Sequence, residues 1–331
     1  MEDKIADLLS SCSKIDFGDI ILSDEEKKFC HEWNNESILF CKSLPESTQT
    51  DALLFFLKYA KTTFEKLNLF RMYYVPAWSI IYWLIQSGPG ASGIKQKDIK
   101  NAKAAHFMAM FLHALDDHLT DNQVPVTHLT LLLRSQAWMI MNKTLSSLAD
   151  GVAGGAKIVE RFQDDYYSSI RSSEEIDSLD RYCELFRRQM ATWLIVPTLL
   201  AKKMTTDAEF TDAILTAYGS FGIAWRLLDD INDVAADMIS GVHSSIYVCL
   251  SNDIKSCWGK DRQGKIRNET GSYGKAIFNY ILQNRIIEKI VERICSELQS
   301  ASAIADNYHL PGLANEFRCL LRPLENSQVY L

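Results

Sequence analysis

The chain has 331 residues with a hydrophobic content of 47%, including 7 Trp and 15 Phe, which is enough for a sizeable core and excludes disorder. A net charge of −7 argues against a nucleic-acid surface, since such proteins gather a basic field. The 8 Cys are scattered without a CxxC pair, the pattern of buried or incidental thiols in a reducing compartment and not of a disulfide frame or zinc site.

Only 15 Gly and 7 Pro punctuate the chain, and the long runs between them favour helices. Residues 1–45 read as an N-terminal lead-in with a short helix over 25–41, ahead of a helical domain over 46–331. The opening MEDKIADLLSSCSK is acidic and polar, unlike a signal peptide. Pro45 and Ser47 mark a helix start, followed by an apolar-periodic run over 52–69. Residues 70–86 are densely aromatic and read as a buried helix, closed by the turn SGPGASG. The apolar run over 73–85 contains Pro76 and is shorter than the roughly 20 residues a bilayer span needs. A soluble, cytoplasmic protein without a membrane span is expected.

The next long helix covers 99–121, apolar nearly all round and ending in acid. Pro125 separates it from a helix over 129–148, and a small-residue loop precedes another over 159–171. A helix over 178–202 carries Pro197 as an expected kink, and 207–239 reads as two helices divided near Gly219. The tail offers a short segment at 244–251, a Gly-rich basic loop at 259–275, and helices over 276–302 and 312–325. No segment shows sustained β alternation, no solenoid repeat is evident, and no linker divides the chain. The expectation is an all-α single domain.

The chemistry concentrates in two places. WRLLDDINDVAADMISGVH carries Asp229, Asp233 and Asp237 at i, i+4 and i+8, one stripe on a helix. Such carboxylates repel each other unless a cation neutralises them. DDHLTD ends the helix over 99–121 with Asp116, Asp117 and Asp121. A lone DDxxD in a polar segment is a solvated helix end, but two clusters that each close an apolar helix suggest a metal site at the mouth of an apolar cavity. Oxygen-only ligands suit Mg²⁺, which keeps waters and binds phosphates as well. A di-iron carboxylate bundle would need Glu-x-x-His pairs, which the chain lacks.

This pair of motifs resembles the two aspartate-rich motifs of class I isoprenoid synthases, the superfamily of trans-prenyltransferases and terpene cyclases. The resemblance implies a helical bundle around a central cavity, with Asp116, Asp117, Asp121, Asp229, Asp233 and Asp237 as metal ligands for three Mg²⁺ ions. It makes Asp116 and Asp229 catalytic, because the metals grip a diphosphate and help ionise it. Within the superfamily, prenyltransferases bind a second diphosphate and carry basic groups for it. Here the segment after DDHLTD has no basic residue, NLFRMYY offers Arg71 but no Lys, and Gln189-Met190 replaces Lys-Thr. The cyclase pattern fits better: the first motif has DDxxxD spacing, and YCELFRR places Arg187 and Arg188 where a cyclase senses diphosphate. Either arginine would match phosphate oxygens with its planar fork; otherwise both are a solvated helix face. The Arg-Tyr pair that many bacterial cyclases carry near the C-terminus is missing.

Arg226 stands where prenyltransferases often have Gln, in reach of phosphate. Phe221 and Trp225 lie two turns and one turn before Asp229 and are expected to look into the cavity, with Trp193 beyond the arginines. Phe107 and Phe111 face either the cavity or a neighbouring helix, and His113 is either a satisfied core histidine or a base. GKDRQGKI matches a phosphate-cradling GxxxxGK only superficially, lacking the Ser/Thr and a preceding strand. Its loop, with Lys260, Arg262, Lys265, Arg267 and Lys275, either orders over a bound diphosphate or is simply solvated. The leading expectation is a Mg²⁺-dependent terpene cyclase acting on geranylgeranyl (C20) or farnesyl (C15) diphosphate. The alternatives are a short-chain trans-prenyl diphosphate synthase and a non-catalytic synthase subunit, and homodimers are common in this family.

Overall fold

The computed structural model of the chain describes residues 12–63, 66–120, 123–171, 174–260 and 272–327. Asp121 and the loop cations Arg262, Lys265 and Arg267 lie outside the described residues. The first helix described in full, α1 (Asp24–Lys42), starts where Ser23 and Glu26 form a reciprocal capping box. Its Trp33 and Phe40 are fully buried in the core shared with the helices that follow.

Helix α2 (Glu46–Tyr59) follows Pro45 and stops ten residues short of the expected 69. Lys61 adopts φ 47, a left-handed conformation that ends the helical ladder. A 3₁₀ turn, Leu69–Met72, starts where the Asn68 side chain accepts from the Phe70 N–H. Pro76 then opens α3 (Pro76–Ser87), where its missing N–H costs nothing. The remaining long helices are α4 (Gln96–Thr120), α5 (His128–Ala149), α6 (Gly155–Ile170), α7 (Leu179–Gln189), α8 (Ala191–Met204) and α9 (Ala208–Asn232). Three short helices follow, α10 (Val234–Ser240), α11 (Ser245–Val248) and α12 (Asn252–Lys255). The described chain ends with α13 (Ser272–Gln283), α14 (Ile286–Asn307) and α15 (Pro311–Ser327), and no strand occurs among the described residues.

Helix α9 packs along α14 on one side and against α8 and α7 on the other, while α4 packs along α5 and also touches α8. These two helices carry the acid motifs, so their apolar shafts run through the core and their acidic ends emerge from it. No described helix is long and apolar enough to cross a membrane.

Two expected breaks fall elsewhere. Gly219 does not divide a helix; it lies inside α9, where a Cβ would stand 3.1 Å from the Arg187 Nε. Gly222 is similar, because a Cβ there would meet the Met190 Sδ at 2.2 Å. Both glycines serve close approach between α9 and the α7–α8 junction. That junction at Met190, and not Pro197, interrupts the segment over 178–202; Pro197 is buried within α8. Arg285, at φ 53, likewise separates α13 from α14.

A close approach at the far end of the bundle gives a stability test. A Cβ on Gly312 would lie 2.1–2.3 Å from three ring atoms of Trp83, whose Nε1 donates to Glu316 Oε1 at 2.7 Å. The anchored ring has little room to retreat, so Gly312→Ala is expected to destabilise by about 1–3 kcal/mol. Thermal melting should show a drop of several degrees; an unchanged melting temperature would refute the tight contact.

Candidate active site

The acidic ends of α4 and α9 border one cavity of about 530 Å³. Asp117 and Asp229 stand among its lining residues, Tyr73, Trp193, Trp225 and Phe186 form aromatic walls, and Met190 and Gly222 also line it. Tyr73 and Trp225 meet edge to face at 6.0 Å and 89°, and Trp193 tilts on Trp225 at 5.4 Å. Three polar atoms around these walls are engaged by the protein. Tyr73 Oη donates to the Met110 carbonyl at 3.0 Å, Trp193 Nε1 to the Ala109 carbonyl at 3.2 Å, and Tyr74 Oη to Asp16 at 2.7 Å. What these walls present to a ligand is largely π-face, which attracts a cation.

Of the aromatic residues expected from sequence, Trp193 and Trp225 border the cavity. Phe221 does not: it is fully buried, stacked on Tyr218 and tilted against Trp225 and Phe317, so it supports the wall from behind. Phe107 and Phe111 face a separate aromatic cluster, with Phe107 against Phe70 and Phe111 against Phe40 and Phe56. Helical spacing alone left those orientations open. His113 borders the cavity one turn before Asp117, its ring 5.0 Å from that of Trp193, and burial lowers its pKa.

The arginines divide. Arg226 borders the cavity, with Nη1 at 3.6 Å from Asp229 and Nε both 3.0 Å from Tyr182 Oη and 3.1 Å from Asp230 Oδ1. Arg187 and Arg188 do not border it: Arg187 lies over Gly219, and Arg188 pairs with Glu174 at 3.4 Å. Asp230 escaped the sequence reading because the i, i+4 stripe skips it. It is 1% exposed, accepts the Ser245 N–H at 2.8 Å and holds Arg226 in place. Its signal was the paired acid itself. Tyr73 and Tyr74 were hidden within a segment read as a continuous buried helix.

The stripe of Asp229, Asp233 and Asp237 is bent. Asp233 closes α9 with φ −96 and ψ 8, although its N–H still reaches the Asp229 carbonyl and the Asp237 N–H reaches Asp233. Burial, with Arg226 opposing it and Asp233, Asp230 and Asp117 adding to it, raises Asp229 to about 6. Burial and then Asp230 raise Asp237 to about 7, and Asp233 is raised mainly by burial. Neighbouring acids add to burial at all three positions, so a bound cation would favour their ionised forms. Among the described residues no three acids, histidines or cysteines converge closely enough to hold an ion alone. Mg²⁺ does not need such a cage: it takes one or two carboxylates and completes its shell with water and phosphate oxygens. Asp117 and Asp229 fit that use. Asp116 points elsewhere, toward Arg134 and Tyr166.

A second cavity of about 850 Å³ adjoins the first, and Met72 and His118 line both. It is bordered by Leu54, Phe55, Lys58, Tyr59 and Lys61 around the end of α2, and by Val124, Pro125 and Leu129 near the start of α5. Lys58 and Lys61 are exposed, while the Tyr59 Oη is buried with no hydrogen-bond partner. Asp51 also borders this cavity.

No protein-family model and no curated protein sequence matches the chain. Solved structures do. Geranylgeranyl pyrophosphate synthase from Corynebacterium glutamicum ATCC 13032 is similar with a TM-score of 0.62, at 14% identity, over 96% of this chain and 98% of that one. Polyprenyl synthetase from Streptomyces coelicolor A3(2) is similar with a TM-score of 0.60, at 12% identity, over 90% of this chain and 99% of that one. The chain has the isoprenoid synthase fold. The single all-α bundle expected from sequence is therefore the observed one. A third structure, the Corynebacterium glutamicum synthase complexed with isoprenyl diphosphate and magnesium, matches with a TM-score of 0.50, at 17% identity, over 91% of this chain and 98% of that one. These three carry the names of prenyl synthases.

Proposed function

We propose that the protein is a Mg²⁺-dependent trans-prenyl diphosphate synthase. It ionises an allylic prenyl diphosphate in the first cavity and joins it to isopentenyl diphosphate held in the second. The observation that carries this reading is the pair of adjoining cavities, acidic and aromatic on one side, lysine-rimmed on the other. The sequence argument for a cyclase counted missing cations in three segments: after DDHLTD, in NLFRMYY and at Gln189-Met190. Lys58 and Lys61 lie outside those segments, yet they reach the rim of the second cavity.

The chemistry follows from the two environments. Bound Mg²⁺ would neutralise the diphosphate as it leaves with the C–O bonding electrons. The aromatic walls stabilise the resulting allylic cation and exclude water. The double bond of the acceptor attacks that cation, a C–C bond forms, and loss of a proton restores an allylic diphosphate. The names of the structural neighbours support the same reading.

Terpene cyclisation of a C15 or C20 diphosphate is the second reading. It is favoured by Arg226, which Asp229, Asp230 and Tyr182 already engage and which is therefore poorly placed to serve a second anion. One incubation separates the two. The protein is given Mg²⁺ and C10, C15 or C20 diphosphate, with and without isopentenyl diphosphate, and products are analysed by gas chromatography–mass spectrometry after dephosphorylation. A longer prenyl chain that forms only with isopentenyl diphosphate is the expected result. Hydrocarbon or alcohol without it would replace the synthase with the cyclase, and no turnover would leave a non-catalytic subunit.

A further inference from the structure

The first acid of DDHLTD is fully engaged away from the cavity. Asp116 Oδ1 accepts from Arg134 Nε at 2.6 Å, and Oδ2 accepts from Arg134 Nη2 at 3.0 Å and from Tyr166 Oη at 3.0 Å. Arg134 belongs to α5 and Tyr166 to α6, so this one carboxylate ties the acidic end of α4 to two other helices. Its side chain is only 17% exposed, whereas Asp117 beside it is exposed and borders the cavity.

Helix geometry makes these two facts one. Successive residues on an α-helix diverge by roughly 100°, so the rotation that turns Asp117 to the cavity turns Asp116 toward α5. A two-pronged guanidinium grip is also among the stronger side-chain contacts, and a metal ion could take Asp116 only by displacing it.

We infer that Asp116 is not a metal ligand but the anchor of a positioning device, in which Arg134 and Tyr166 set the rotation of the α4 end and so aim Asp117 at the diphosphate-bound metal. Arg134 and Tyr166 are positioning residues: they touch neither cavity nor substrate. The inference rests on the proposed diphosphate site and changes which acids of the first motif serve it.

The test measures binding of inorganic diphosphate in the presence of Mg²⁺ by isothermal titration calorimetry, with thermal melting of each apo variant alongside. Arg134→Gln is expected to weaken Mg²⁺–diphosphate binding about tenfold, the usual scale for losing the partner of a ligand-bearing group. Arg134→Lys should restore part of that loss. Arg134→Gln combined with Asp116→Asn should bind no more weakly than either single variant, because all three break the same contact. If Asp116 were a ligand, Arg134→Gln would free it, and binding would stay level or tighten; that result overturns the inference. A lower melting temperature with unchanged affinity also overturns it, reducing the contact to ordinary packing. A wild-type protein that binds no Mg²⁺–diphosphate overturns the proposed function and this inference together.

Discussion

Asp229→Asn is expected to lower prenyl diphosphate turnover by about a thousandfold or more, while the apo protein keeps its fold and melts no lower than the wild type. The activity loss follows because Asp229 borders the cavity from α9, opposite the contribution of α4. Removing charge stabilisation at a leaving group costs several kcal/mol of transition-state energy. The stability statement follows from its ionisation. Burial, and next the nearby Asp233, Asp230 and Asp117, raise Asp229 to about 6 despite Arg226. A carboxylate raised in the folded state favours folding when protonated, below its unfolded value. That contribution is lost as pH rises through about 6, so at neutral pH the ionised group is a net cost. Asparagine removes the cost. Because the side chain is 51% exposed, solvent screening limits the gain to about 1 kcal/mol or less.

The same titration sets a pH dependence for metal binding. Asp237 stands near 7 and Asp229 near 6, so Mg²⁺–diphosphate affinity should fall as pH drops from 7.5 to 5.5. Over the same interval the metal-free protein should become no less stable through these groups. Melting curves at both pH values, with and without Mg²⁺ and diphosphate, check both directions. Retained activity in Asp229→Asn would remove this carboxylate from the site.

Lys58→Glu together with Lys61→Glu is expected to raise KM for isopentenyl diphosphate by about a hundredfold, each reversal contributing roughly tenfold. Allylic diphosphate cleavage without acceptor should stay within about twofold, because neither lysine borders the first cavity. Both side chains are exposed, so the change spares the core. This pair of rates distinguishes the two functional readings at the level of the site. In a cyclase, the doubly substituted protein would keep both its rate and its product. Steady-state kinetics with radiolabelled isopentenyl diphosphate, beside a diphosphate-release assay, gives the answer.

The acid motifs were legible in sequence because helical spacing is local. Residues four apart share a face whatever the fold, so Asp117 and Asp229 could be named as cavity-mouth acids from their own helices. The apolar shafts above them marked both helices as core elements for the same reason. Trp193 and Trp225 were also legible, since each is an apolar residue at the right depth on a helix already assigned. Local rules failed where a neighbour decides. Gly219 and Gly222 carry the signature of a break, but they are small because Arg187 and Met190 press against α9. Phe221 shares a face with Asp229 along the helix axis, yet Trp225 stands between it and the cavity.

By itself, then, the sequence determined an all-α chain and its two acid-tipped core helices. Both follow from periodicity and charge along single elements. Only the tertiary structure decided which acids face the cavity, because helix rotation is set by packing against other helices, as Asp116 is set by Arg134 and Tyr166. It also placed Lys58 and Lys61 beside a second cavity. Their charges could not be assigned to the site from sequence, because long-range proximity arises only once α2 and the start of α5 pack around the end of α4.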